Sequence, residues 1–249
     1  MVRGIERFSL TGKRALITGG AKGIGQAMAG AMAACGAHVI IADLDLAAAQ
    51  ATAAAIGGDA LALDVTDPAQ VEDAAARTGA LDILVNNAGI VHNGPAVEIA
   101  FEDWRRVIDI NLNGVFLTAR CFGRAMVARG RGSVISTSSI CGEVPVWPQP
   151  QAAYNAAKAG VNLLTRSLAA EWAASGVRVN AIAPGYTATE LTLAGRSKPE
   201  WYSVWLERIP MDRLADPDEI ASAAVFLASD AASYITGTIL TIDGGYTAL

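Results

Sequence analysis

At 249 residues, 52% of them hydrophobic and 17% charged, the chain can bury a substantial core. A net charge of -5 with no block of Lys or Arg argues against a nucleic-acid partner, which a basic stripe would recognise. No apolar run approaches the ~20 residues that span a bilayer, and Met1 to Gly12 lacks the apolar middle of a signal peptide, so a cytoplasmic protein with no membrane partner is expected. The three cysteines, Cys35, Cys121 and Cys141, form no CxxC or HxxxH pattern; reduced thiols and no metal are expected. The glycines are spread without a linker, and no repeat is visible, so residues 1–249 read as one domain.

In chain order, apolar runs rich in β-formers alternate with alanine-rich segments of helical period. Lys13 to Thr18 predicts a strand, Ile24 to Cys35 a helix, His38 to Ala42 a strand and Ala47 to Ile56 a helix. Ala60 to Asp64 and Leu81 to Val85 predict two more strands around a helix at Ala69 to Arg77. A long helix (Trp104 to Arg129) and a strand (Ser133 to Thr137) follow, then a helix (Ala153 to Ser175) and a strand (Val177 to Ile182). A helix at Asp218 to Ala228 leads to a final strand, Thr238 to Ile242. Alternating elements with apolar strands imply an α/β fold, a Rossmann-type doubly wound parallel sheet of about seven strands with helices on both faces. Such sheets bind ligands beyond the carboxyl ends of their strands.

After the first strand comes Thr18-Gly19-Gly20-Ala21-Lys22-Gly23-Ile24-Gly25. Gly19, Gly23 and Gly25 let the backbone approach a pyrophosphate, and the helix starting near Ile24 aims its amides at the charge. The spacing is GxxxGxG, and an ordinary strand-to-helix loop is the plainer alternative. Asp43, at the end of the second strand, suits the hydroxyls of an adenosine ribose and would repel a 2′-phosphate. It could equally cap a helix. Lys22 pulls the other way, toward that phosphate. The carboxylate favours NAD over NADP.

The chain resembles the short-chain dehydrogenase/reductase family from Leu10 to Tyr246. The matching motifs are Thr18 to Gly25, Asn86-Asn87-Ala88-Gly89, Asn111, Ser138-Ser139, Tyr154-x-x-x-Lys158 and Pro184-Gly185. The resemblance implies hydride transfer between a nicotinamide dinucleotide and a secondary alcohol or ketone, with Asn111, Ser139, Tyr154 and Lys158 as the catalytic set. Tyr154 and Lys158 lie four apart, so they share a helix face. A phenol of pKa ~10 needs its charged form favoured to work near neutrality, and an adjacent ammonium and a positive nicotinamide ring would favour it. Ser139 is chosen over Ser138 because Ile140-Cys141-Gly142 follows it as in the family. Asn111 is a poor helix former with apolar flanks; the family uses it to hold a water that links the lysine to solvent. The family also implies adenosine contacts from Asn87, Ala88, Gly89, Asp64 and Val65. It holds the nicotinamide carboxamide near Pro184, Gly185, Thr187 and Thr189.

Phe122 to Arg129, Leu164 to Leu193 and Glu219 to Leu249 resemble bacterial galactitol and related polyol dehydrogenases. Substrate contacts are expected from Ser139, Cys141, Glu143, Trp147 and Gln149, with His92 and Asn93 across the cleft. Val146 and Trp147 are less polar than a long sugar alcohol requires, which leaves room for a shorter diol or a partly apolar alcohol. Trp147 could instead be a loop anchor on the core. Leu191 to Leu206 reads as a helix-like insertion, which the family uses as a lid. An NADP-dependent ketoreductase is the competing enzyme, and a non-catalytic dinucleotide sensor the competing binding protein. Apolar residues on more than one face of the two longest helices, with Ala157 and Gly160 allowing close approach, predict a homotetramer completed by the tail, Thr238 to Leu249.

Overall fold

The computed structural model describes residues 4–194 and 199–249. Seven strands, β1 (Arg14–Thr18), β2 (His38–Asp43), β3 (Asp59–Ala62), β4 (Ile83–Asn86), β5 (Gly132–Thr137), β6 (Val177–Pro184) and β7 (Ile239–Ile242), form one sheet. Its order is β3-β2-β1-β4-β5-β6-β7, with every pairing parallel. The helices are α1 (Gly23–Ala34), α2 (Leu46–Ile56), α3 (Pro68–Thr78), α4 (Phe101–Ile108), α5 (Gly114–Arg129), α6 (Ala152–Trp172), α7 (Glu190–Ala194), α8 (Pro199–Glu207) and α9 (Pro217–Ala228).

The strands alternate their side chains between two cores, which is why the sequence shows no polar face. On β1, Ile17 joins Met28, Ala53 and Ile220 under α1, α2 and α9. Its neighbour Leu16 joins Val71, Phe122 and Leu168 under α3, α5 and α6. Aspartates set helix starts: Asp45 accepts from Ala48 N, Asp67 from Ala69 N, and Asp216 forms a capping box with Glu219. From β1 the chain runs outward through β2 and β3, then returns to β4 on the other side. The switch point opens a cleft between the ends of β1 and β4.

The sequence-based boundaries differ from the structure in informative places. The expected helix from Trp104 to Arg129 begins at Phe101 and is interrupted by a π-turn at Asp109–Asn113. There Asn111 Nδ2 donates to Val107 O and also to Ile90 O on a distant loop, so the wider turn follows a tertiary contact. The third strand ends at Ala62, leaving Asp64 and Val65 in the following loop. The insertion expected at Leu191 to Leu206 is α7 and α8; its residues 195–198 lie outside the described residues.

Two glycines of α1 have opposite surroundings. A Cβ on Gly25 would lie 2.2 Å from Gly19 O and 2.5 Å from Asn87 Nδ2, whereas one on Gly30 would meet nothing within 4 Å. Gly30→Ala should therefore stabilise the protein by ~0.5–1 kcal/mol through helix propensity alone. Gly25→Ala should destabilise it by ~1–3 kcal/mol through overpacking. Urea unfolding midpoints check both; shifts of the same sign would contradict this account.

Candidate active site

The cleft of about 860 Å³ is walled by the loops that follow the strands. Its floor is a stitched backbone. Thr18 Oγ1 accepts from Asn87 N at 3.0 Å and Ala88 N at 3.2 Å, while Asn87 Nδ2 donates to Gly19 O at 2.9 Å. Thr137 Oγ1 donates to Asn87 Oδ1 at 3.2 Å, tying in the end of β5. Gly19 has φ of 60°, and a Cβ there would come within 2.8 Å of Ala88 Cα, so the two loops touch backbone to backbone. Lys22 stands at the N-cap of α1 without a side-chain capping bond, which leaves the helix's first amides for an anion. Lys22, Gly23, Ile24 and Gly25 all line the cleft.

Asp43 also lines it. Its carboxylate accepts from Ala21 N and Asp45 N, both at 3.1 Å, and so braces the glycine loop. The capping role that the sequence left open for Asp43 belongs to Asp45. Asp64 accepts from Thr66 N and Thr66 Oγ1, a turn bond that uses one oxygen of a cleft-lining carboxylate. Val65 packs under Gly114.

At the centre of the cleft four side chains converge. Ser138 turns inward: its hydroxyl donates to Asn162 Oδ1 and reaches Lys158 O at 3.3 Å on α6. Ser139 faces the cleft, accepts from Cys141 N at 3.1 Å and is hydrogen-bonded to Tyr154. Lys158 is only 3% exposed. Its Nζ donates to Thr137 O at 2.7 Å and lies 5.4 Å from the centroid of the Tyr154 ring. A Cβ on Gly89 would sit 2.6 Å from Asn111 Oδ1 and 3.6 Å from Lys158 Nζ, so this glycine keeps both groups beside one space. Asn111 Oδ1 is buried without a partner among the described residues, as are Asn86 Nδ2 and Tyr246 Oη.

Burial dominates the electrostatics of the Tyr154 and Lys158 pair. Burial pushes the Tyr154 phenol above its ordinary value; a charge at Cys141 would add to this, and the Ser139 hydrogen bond opposes it. Burial likewise lowers the Lys158 ammonium to about 8. In the protein alone desolvation governs both groups.

The other expected residues divide. Ala88, Gly89, Gly185 and Thr189 line the cleft, as do Asn93, Cys141 and Gln149. Pro184 ends β6 beneath it, and Thr187 is buried, bridged to Ala215 with its hydroxyl on Gly185 O at 3.2 Å. His92 and the exposed Glu143 lie outside the lining. Trp147 also lies outside it and is 59% exposed, so it is neither a substrate wall nor a core anchor. The loop's direction, which a short irregular segment does not encode, turns both side chains outward. Sequence reasoning missed Gln151, Arg106, Tyr186, Trp201 and Trp205 as lining residues. Only the place of Trp201 and Trp205 within the lid-like insertion at Leu191 to Leu206 carried a signal for any of them.

A family model described as enoyl-(acyl carrier protein) reductase matches residues 19–247. The chain is similar to the galactitol 2-dehydrogenase (L-tagatose-forming) of Cereibacter sphaeroides, 48% identical over 96% of this chain and 97% of that protein. It is similar also to the D-threitol dehydrogenase of Mycolicibacterium smegmatis, 45% identical over 96% of this chain and 95% of that one. Among solved structures, a gluconate 5-dehydrogenase from Burkholderia cenocepacia, in complex with NADP and tartrate, matches with a TM-score of 0.94. The match is 38% identical and covers 99% of this chain and 100% of that one.

The buried lysine gives a test independent of turnover. Lowering its pKa from 10.5 to about 8 implies a burden of roughly 3 kcal/mol on the folded state at pH 7. Lys158→Met removes that burden and loses the bond to Thr137 O, worth ~1–2 kcal/mol, so a net stabilisation of ~1–2 kcal/mol is expected. Between about 8 and 10.5 the unfolded chain binds the proton that the folded chain has lost, so the wild type gains stability as pH rises. The advantage of the variant should therefore shrink from pH 7 to pH 9.5. Denaturant unfolding at the two pH values checks this, and a gap that widens with pH would contradict it.

Proposed function

The chain belongs to the short-chain dehydrogenase/reductase family as an oxidoreductase of secondary alcohols that uses a nicotinamide dinucleotide, and we propose that it oxidises a diol or polyol to the ketone with NAD, Tyr154 serving as acid/base. The observation that carries this reading is the convergence of Ser139, Tyr154, Lys158 and Asn111 beside the glycine loop, in one cleft. The cleft fits a dinucleotide: a Cβ at Gly19 or Gly25 would fill its floor, and the start of α1 offers uncapped amides.

In this proposal the start of α1, with Gly19, Lys22, Gly23, Ile24 and Gly25, holds the pyrophosphate. Asp43 takes the ribose hydroxyls; Asp64, Val65, Asn87, Ala88 and Gly89 enclose the adenosine half. The backbone after Pro184, from Gly185 to Thr187, and the Thr189 hydroxyl hold the carboxamide. The dinucleotide, when bound, supplies the hydride acceptor. Tyr154 Oη takes the proton of the alcohol. Ser139, whose oxygen accepts from Cys141 N, turns its own hydrogen from the phenol to the substrate oxygen. Lys158, anchored on Thr137 O, keeps further N–H groups for the phenol side and for the space beside Asn111. Asn111 Oδ1, having no partner among the described residues, is suited to receive a relay water there. An NADP-dependent ketoreductase is the second reading, favoured by Lys22, an exposed cation lining the same cleft. Asp43, braced in place, is the stronger constraint, since it would meet a 2′-phosphate with a carboxylate.

Kinetics of the wild type with NAD and NADP, with Tyr154→Phe and Asp43→Ala alongside, test this reading. NAD should give the higher kcat/KM, and Asp43→Ala should narrow the gap. Tyr154→Phe should lose at least ~100-fold in kcat, the scale of a general acid/base, with NAD binding unchanged. Near-normal turnover in Tyr154→Phe would remove the mechanism, and an NADP preference would favour the second reading.

We further propose a cytoplasmic homotetramer in which residues 1–249 act as one domain. Its free thiols suit a reducing compartment, and among the described residues no helix is long and apolar enough to cross a membrane. Much of the apolar surplus expected on the two long helices is internal: Phe122, Met126 and Leu168 are core residues, and Gly160 packs on Leu112. Ala157 too is buried within the chain, so neither small residue marks the interface. Support for assembly comes instead from Phe116, 44% exposed, and Leu163, 65% exposed, and from exposed Leu249 beyond the edge strand β7. Light scattering should give four times the single-chain 25.7 kDa; a monomer would end the proposal.

A further inference from the structure

The polar side chains on the substrate side of the cleft are turned on one another. Gln149 is 7% exposed and sits on the loop before α6. Trp205 Nε1, on α8, is a donor only, so the atom 2.9 Å from it must be the Gln149 acceptor Oε1. Gln149 Nε2 then donates to Tyr186 Oη at 3.0 Å, and the tyrosine's own hydrogen is left to point toward Trp147 O at 3.5 Å. One carboxamide thus joins the loop before α6, the loop after β6 and helix α8. The rings it joins are stacked, Tyr186 on Trp205 at 4.5 Å and 18°, with Tyr246 edge-on to Tyr186 at 5.8 Å. Gln151 is occupied in the same manner: its Nε2 donates to Cys141 Sγ at 3.1 Å and Asn155 Oδ1 at 3.2 Å. Tyr154 and Tyr186 pack against the same cluster, with Ile140 and Val146 between the loops.

We propose that Gln149 is a positioning residue that sets specificity: by fixing the Tyr186–Trp205 stack as an aromatic wall in the alcohol site, it selects secondary alcohols with an apolar carbon skeleton, an alicyclic diol before a long linear polyol. The proposal rests on the alcohol-dehydrogenase reading above and narrows it. A linear polyol brings a hydroxyl on every carbon, and each one that meets this wall loses water without gaining a partner. Discrimination of about tenfold or more per stranded hydroxyl follows. The apolar side of a ring, by contrast, packs against this wall without stranding a hydroxyl and leaves its carbinol oxygen to Ser139 and Tyr154.

The experiment measures kcat and KM of the intact enzyme for cis-cyclohexane-1,2-diol and for galactitol, with saturating dinucleotide, in the wild type, Gln149→Leu, Trp205→Phe and the double variant. The wild type should favour the cyclic diol at least tenfold in kcat/KM. Gln149→Leu should raise KM for the cyclic diol by roughly tenfold, the scale of losing one or two neutral hydrogen bonds, with KM for NAD within twofold of the wild type. Trp205→Phe keeps a ring and removes only the N–H, so it tests the bridge even where Gln149→Leu does not fold, and its KM should rise too. Because both changes break one bridge, the double variant should be no worse than the poorer single. A wild type that prefers galactitol, an unchanged KM in either single variant, or multiplicative losses in the double would each overturn the proposal. Failure of the wild type to reduce NAD or NADP with any of a panel of secondary alcohols would instead overturn the dehydrogenase reading on which it rests.

Discussion

A buried ammonium governs the centre of this molecule. Lys158 is held in the interior at the expense of its hydration, and its lowered pKa measures that expense. What makes the burial tolerable is a set of contacts from separate elements. The end of β5 supplies the carbonyl of Thr137, and α6 supplies the face of the Tyr154 ring. The loop after β4 supplies the missing side chain of Gly89, and the π-turn supplies Asn111. Ser138, tied to Asn162 and to the carbonyl of Lys158 itself, clamps α6 onto the end of β5. Moving the Thr137 carbonyl would leave the cation without its hydrogen bond. The position of one charge therefore ties together two strand ends, a π-turn and a helix start.

The glycine loop obeys a different constraint, one of backbone contact. It must touch the loop after β4, and Asn87 and Thr18 set that contact through bonds to main-chain atoms. Asp43 holds the loop's outer side by accepting from Ala21 N. The same carboxylate therefore shapes the loop and charges its rim. Any change at Asp43 acts on the geometry of the loop as well as on the charge of the cleft.

These two constraints explain what could be read in the sequence. Backbone requirements leave residue-type signatures: Gly19, Gly23 and Gly25 at their spacing, apolar strands such as Ile83 to Val85, the Tyr154–Lys158 interval on one helix face. They were legible because the physics is local. Asn111 was legible as a misfit in a helix, but its π-turn was not, because the bond that goes with it ends on Ile90, 21 residues away. Ser139 and Ser138 differ only in which way each hydroxyl turns at the end of β5. Glu143 and Trp147 were expected in the cleft on polarity and size, yet both point outward, since a short loop carries no period from which to read direction. Gln149 does line the cleft, but its partner Trp205 lies 56 residues on, so its engagement could not be foreseen.

The raised phenol and the lowered ammonium bear on how the proposed chemistry must run. With Tyr154 pushed up and Lys158 at about 8, the resting pair at neutral pH holds its protons. The phenol becomes a base only when a positive charge enters the cleft or its proton has somewhere to go. The route out must begin at Lys158, since the phenol's other neighbours, Ser139 and Cys141, are themselves buried. Beside Lys158 lies the space kept open by Gly89, and on its far side an acceptor, Asn111 Oδ1, without a partner among the described residues. An unpaired buried acceptor costs ~1–3 kcal/mol. A folded protein that carries this penalty at the base of its one buried lysine among the described residues gains most from a bridging water there, and that water would be the first step by which the proton leaves.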